Sequence, residues 1–173
     1  MQKLVKIAMI KAENFAYQAR NGGYIGIPYK TLDCQGFVER VLRDCGYRYN
    51  WRGSNNMWRD ALKWKGSREE YQETYGTDII PGVWVFGWKD DGGEKSRGYQ
   101  DSEGNAYHVG IYIGNGEVIH STTGGVKISP MEDIRFNRVG LAKVIDYSKD
   151  AFAEKLAELE KRIKRLEDMT NES

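Results

Sequence analysis

The sequence predicts an α+β fold, with N-terminal helices packed on an antiparallel β-sheet and a further helix at the C-terminus. Three observations predict it. Apolar residues recur at three-four spacing through the first 45 or so positions, give way from Ile79 to short alternating runs broken by glycine, and return at heptad spacing after Ser148. At 173 residues the chain suits one domain with a tail, divided here as 1–148 and 149–173.

Leu4, Ile7, Ala8, Ala12, Phe15, Ala16 and Ala19 make one apolar stripe, and Asn21-Gly22-Gly23 ends it. A second helix is expected to open at Cys34, because Phe37, Val38, Val41, Leu42 and Cys45 share a face and Gly46 stands where a C′ glycine belongs. Ser54 or Asn55 is the expected cap of a helix carrying Met57, Trp58, Ala61 and Leu62. Ser67 and Glu70 have capping-box spacing for a short fourth helix. Ile79 to Phe86 reads as a strand, and Lys89 to Asn105 as a long polar loop, a candidate substrate-contacting flap. The runs 107–113 and 117–122 form a hairpin about Gly114-Asn115-Gly116, with later strands at 125–128 and 139–145. Phe152, Leu156, Leu159, Ile163 and Leu166 form the heptad seam, which suits packing on the domain, self-association or linkage to a partner.

Charge is balanced, with 26 Lys and Arg against 25 Asp and Glu, which gives no electrostatic footprint for nucleic acid. Lys6, Lys11 and Glu13 interrupt the N-terminal apolar residues, so neither a signal-peptide core nor a membrane span is expected. Cys34 and Cys45 lie about 16 Å apart along one helix, too far to pair within it. Paired C-x-x-C and H-E-x-x-H spacings are absent, so no metal or other cofactor is expected.

One thiol and two histidines carry the chemistry. A helix N-terminus favours the thiolate, and Cys34 sits at one, whereas Cys45 reads as packing on an apolar stripe. A nucleophile also needs a base and a group that orients the base. Both histidines of the chain, His108 and His120, lie on the predicted hairpin, so their cooperation depends on register. A two-residue Asn115-Gly116 turn would oppose Ile111 with His120 and place the histidines on opposite faces. A three-residue Gly114 to Gly116 loop, with Gly114 and Asn115 near αR and Gly116 in αL, pairs Ile111 with Ile119 and puts both histidines on one face. It also collects Val109, Ile111, Ile113 and Ile119 on the other face, so the three-residue loop is expected.

The runs D-C-Q-G-F-V (33–38), P-G-V-W-V-F (81–86) and H-V-G-I-Y-I-G-N-G-E-V-I-H-S (108–121) resemble the NlpC/P60 family of cysteine peptidases. The resemblance spans about Pro28 to Asp146. It implies a papain-like fold, Cys34 as nucleophile, His108 as base and His120 as the third, polar residue. It implies hydrolysis of an amide in peptidoglycan stem peptides, after γ-linked D-glutamate, through a thioester. By the same resemblance Tyr29 is placed on the thiol or oxyanion, Asp33 on the substrate, and Gln35 where the substrate is read. Gln35 replaces the usual serine, and Pro28-Tyr29-Lys30 lacks the family's W-G-G. The peptidoglycan peptide is the expected partner; the lack of a signal-peptide core fits a phage or prophage lysin or virion component, with a cytoplasmic recycling enzyme as the alternative. A muramoyl-alanine amidase, a thiol transferase and a non-catalytic wall-binding module stand as alternatives.

Overall fold

The computed structural model describes residues 9–91, 101–148 and 163–165. Its elements in chain order are β1 (Ile10–Lys11), α1 (Ala12–Asn21), α2 (Cys34–Asp44), α3 (Ser54–Asp60), β2 (Leu62–Gly66), α4 (Arg68–Tyr75), β3 (Trp84–Lys89), β4 (Asn105–Gly114), β5 (Glu117–Thr122), β6 (Gly125–Pro130), β7 (Arg138–Ala142) and β8 (Ile145–Asp146). Strands β2 to β7 form one antiparallel six-stranded sheet in the order β2-β7-β3-β4-β5-β6. The expected α+β architecture is the observed one. No helix among the described residues is long and apolar enough to cross a membrane.

Both faces of the sheet are apolar. Phe15 and Ala19 of α1 and Phe37, Val38, Val41 and Leu42 of α2 pack with Val109, Ile111, Ile113 and Ile119 in one core. Val83, Val85, Val118, Met131, Phe136, Val139 and Leu141 form a second core on the other side, joined by Tyr71 of α4. Burying an aliphatic or aromatic side chain contributes about 1.5–3 kcal/mol, so the apolar stripe of α2 alone anchors that helix firmly to β4 and β5.

Local chemistry sets the limits of α2. Asp33 is its N-cap, and its Oδ1 accepts from the Gly36 N–H at 2.6 Å. At the far end the Gly46 N–H donates to Arg43 O and the Tyr47 N–H to Leu42 O, with Gly46 at φ 86°. This is a Schellman closure on the expected C′ glycine. The capping box at Ser67 and Glu70 is formed in both directions.

Three expectations are corrected. The first helix begins only at Ala12, because Ile10 and Lys11 pair in parallel with Ile145 and Asp146, and Lys11 Nζ lies 2.5 Å from Asp146 Oδ2. Leu4, Ile7 and Ala8 lie outside the described residues. Neither Ser54 nor Asn55 caps α3, whose N-cap is Gly53 at φ 91°. Their side chains tie the helix to β4 instead: Ser54 Oγ donates to Ala106 O at 2.6 Å, and Asn55 Oδ1 accepts from the Ala106 N–H at 2.6 Å. The expected strand from Ile79 starts at Trp84, because Gly82 (φ 94°) turns the chain where an added Cβ would stand 2.5 Å from Ala12 O. Most of the predicted flap and of the C-terminal heptad seam lies outside the described residues.

Candidate active site

Cys34 is the first residue of α2 and its thiol is free. Burial pushes that thiol up. The N–H of Val109, with those of Gln35 and Cys34, pulls the other way by favouring the thiolate, but burial outweighs them. The helix terminus therefore faces the sulfur as expected, yet the resting group is a thiol. The Val109 contact also places the sulfur beside the residue that follows His108. Before α2, the segment 26–32 is held to the sheet: the Val126 N–H donates to Ile27 O at 3.0 Å, and Ser121 Oγ, next to His120, donates to Leu32 O.

The hairpin reaches the expected face by a different route. Asn115 and Gly116 have φ 55° and 70°, and Gly114 pairs with Glu117, so the turn has two residues with positive φ. The predicted αR geometry at Gly114 and Asn115 is not adopted; Gly114 has φ 90°. A bulge between Tyr112 and Gly114 then makes Ile113 the extra residue, and the register becomes Tyr112 to Val118 and Ile111 to Ile119. A two-residue turn plus one bulge has the parity of a three-residue loop, so His108 and His120 share a face.

The two rings meet. His108 Nε2 lies 2.7 Å from His120 Nδ1, with the rings nearly perpendicular at 84°. His120 Nε2 lies 2.9 Å from Ser129 Oγ on β6, so both nitrogens of His120 are engaged. Phe136 packs on both rings, at centroid distances of 5.9 and 5.0 Å. Gly110 makes room on the same face, since a Cβ there would stand 2.7 Å from Val118 Cγ1 and 3.0 Å from His120 Cβ.

Burial pushes His108 down to about 4, helped by the Arg135 cation and opposed by Asp133. Burial likewise pushes His120 down to about 3, with His108, Arg135 and Lys127 adding to the effect. Both imidazoles are therefore neutral at pH 7. Arg135 is itself held by Asp133, its Nη2 lying 2.5 Å from Asp133 Oδ2.

The residues assigned around the thiol divide. Tyr29 is 40% exposed, and its hydroxyl is pushed up by burial and by the neighbouring Cys34 and Asp33 charges, which places it near the nucleophile. Asp33 spends one oxygen on the helix cap. Gln35 has structural partners: its Nε2 donates to Trp51 O at 2.5 Å and Glu39 Oε1 at 2.8 Å, and its Oε1 accepts from the Gly53 N–H at 2.6 Å. Both of its amide atoms thus help clamp the 51–53 loop to α2, and both Nε2 hydrogens are taken. Ser121, Ser129, Phe136 and the Asp133–Arg135 pair were not singled out from the sequence. Among the described residues no group of three or more His, Cys, Asp or Glu is placed to hold a metal.

The model of the NlpC/P60 family matches residues 98–142, the stretch that contains both histidines and Ser129. A curated relative described as a probable endopeptidase, from Haemophilus influenzae, is 29% identical over 134 residues, which cover 76% of this chain and 70% of the relative. Over its histidine-bearing stretch the chain is thus similar to the NlpC/P60 family. Solved NlpC/P60 structures share its fold. A family protein from Bacillus cereus gives a TM-score of 0.54 at 21% identity, over 78% of this chain and 41% of that longer one. The NlpC/p60 domain of the peptidoglycan hydrolase SagA gives 0.51 at 22% identity, over 76% of this chain and 98% of that domain. NlpC1 from Trichomonas vaginalis gives 0.52 at 19% identity, over 76% of this chain and 44% of that chain.

Proposed function

We propose that this chain is a cysteine peptidase of the NlpC/P60 type that hydrolyses an amide bond of peptidoglycan stem peptides, after γ-linked D-glutamate. The observation that carries the reading is the His108–His120 contact at 2.7 Å on the strand whose Val109 N–H faces the Cys34 sulfur. The name of the SagA domain and that of the H. influenzae relative support the substrate and the reaction type.

With a thiol and a neutral imidazole at rest, His108 acts as general base. It takes the thiol proton as sulfur attacks the amide carbonyl, and the Cys34 N–H at the helix start, with Tyr29, stabilises the oxyanion. Collapse breaks the C–N bond, the His108 imidazolium gives its proton to the leaving amine, and a thioester remains on Cys34. His108 then removes a proton from water, which attacks the thioester and releases the carboxylate and the thiol. His120 holds the His108 ring in place throughout.

The test is Cys34→Ala on purified cell wall, with new amino termini counted and the fragments weighed by mass spectrometry. The variant should release none while keeping its fold. Undiminished release would sink the mechanism, and fragments cut at the lactyl-alanine amide would replace the peptidase with an amidase.

A further inference from the structure

We propose that Ser129 is a positioning residue of this site: by accepting from His120 it sets which nitrogen of each histidine carries the proton. The inference rests on the functional reading above for its kinetic consequence, but its structural half stands on the hydrogen bonds alone.

A neutral imidazole has one N–H and one lone pair. In the series His108 Nε2, His120 Nδ1, His120 Nε2 and Ser129 Oγ, the contacts of 2.7 and 2.9 Å allow only two settings. In the first, His108 Nε2–H donates to His120 Nδ1 and His120 Nε2–H donates to Ser129 Oγ. His108 Nδ1 is then an open lone pair, ready to receive the thiol proton. In the second every proton moves to the other nitrogen, His108 Nδ1 already carries a hydrogen, and the base is blocked.

Ser129 decides between them because of where it sits. His120 is fully buried and Ser129 is 7% exposed, and Phe136 packs edge-on against the His120 ring. An N–H pointed into that apolar surrounding without an acceptor is costlier than a bare lone pair. With the hydroxyl accepting, His120 Nε2–H has its partner and the productive setting holds; the second setting needs the same hydroxyl turned to donate to Nε2. Without it, His120 reverts to Nδ1–H and drives His108 into the blocked form. The position follows from the sheet: Val118 pairs with Ser129 and His120 with Lys127, so Ser129 is the diagonal neighbour of His120 on the same face.

The experiment compares the intact chain with Ser129→Ala and Ser129→Thr, the latter keeping a hydroxyl on the same carbon. Ring nitrogen chemical shifts, which need no substrate, should show both histidines as Nε2–H in the parent and Ser129→Thr, and a switch toward Nδ1–H in Ser129→Ala. On cell-wall peptide, Ser129→Ala should lose on the order of a hundredfold in kcat with KM within about twofold, as for a base held in the wrong tautomer. Ser129→Thr should restore most of it. Unchanged ring shifts in Ser129→Ala, or a Ser129→Thr variant as slow as the alanine one, would overturn the proposal. If the parent cleaves no cell wall, the ring shifts still decide the role of Ser129, and the peptidase reading fails by itself.

Discussion

The pH profile is the sharpest consequence of the neutral histidine pair. An imidazole at the ordinary value of about 6.5 is only about 3% neutral at pH 5, whereas one at about 4 is about 90% neutral there. A general base of the second kind keeps working some thirtyfold better at pH 5, so kcat/KM should hold level from pH 7 down to about 5 and fall only below that. The assay is kcat/KM on a soluble stem peptide between pH 3.5 and 8, with circular dichroism at each point. The circular dichroism guards against a second effect of the same shift. The folded value of His108 lies below the unfolded one, so its contribution to stability is complete above about 6.5 and is lost as pH falls through 6.5 towards 4. By that linkage His108 costs the fold at most about 3 kcal/mol by pH 4. Arg135 offers a control, since its charge helps lower both histidines. Arg135→Gln should move the acid limb upward, the more so because Asp133 loses its partner. A parent limb at about 6.5 on a folded protein, with no response to Arg135→Gln, would refute the neutral-pair reasoning.

Two further substitutions probe the packing around the site. Gly110→Ala puts a Cβ 2.7 Å from Val118 Cγ1 and 3.0 Å from His120 Cβ; denaturant unfolding should show a loss of about 1–3 kcal/mol, and kcat should fall with it. Gln35→Ala releases the carbonyl of Trp51 and the N–H of Gly53, and should cost about 1–3 kcal/mol in the same unfolding measurement while leaving KM for the stem peptide unchanged. A changed KM at unchanged stability would return Gln35 to the substrate.

Much of the fold was legible because each signal was local. Asp33, Gly46 and the Ser67–Glu70 box act within a few residues of themselves, and all end their helices where expected. The failures are tertiary. Ser54 and Asn55 have the chemistry of caps, but bonds to Ala106 and Asn105, some fifty positions away, take their side chains. Ile10 falls within the span expected for the first helix, yet its backbone finds Val144 and Ile145, across the whole domain. Gln35 looks like a residue beside a nucleophile, and only the return of the 51–53 loop shows where its amide is used. Ser129 could be recognised only after strand order had placed β6 beside β5.

The hairpin shows what kind of information a strand pattern holds. Alternation specifies which residues share a face, and that constraint is strong here: Val109, Ile111, Ile113 and Ile119 all enter one core, and both histidines leave it. Such a pattern specifies only the parity of the connection between the strands. A three-residue loop satisfies that parity, and so does a two-residue turn with one extra residue in a strand. Asn115-Gly116 is chemically the stronger turn, since both residues accept positive φ. Once the turn takes that form, the apolar face and the histidine pair can be kept only by a bulge, and Gly114, at φ 90°, absorbs it beside the turn. The bulge is therefore the structural condition for the His108–His120 contact, and any change that straightens the strand between Tyr112 and Gly114 turns the base away from the residue that orients it.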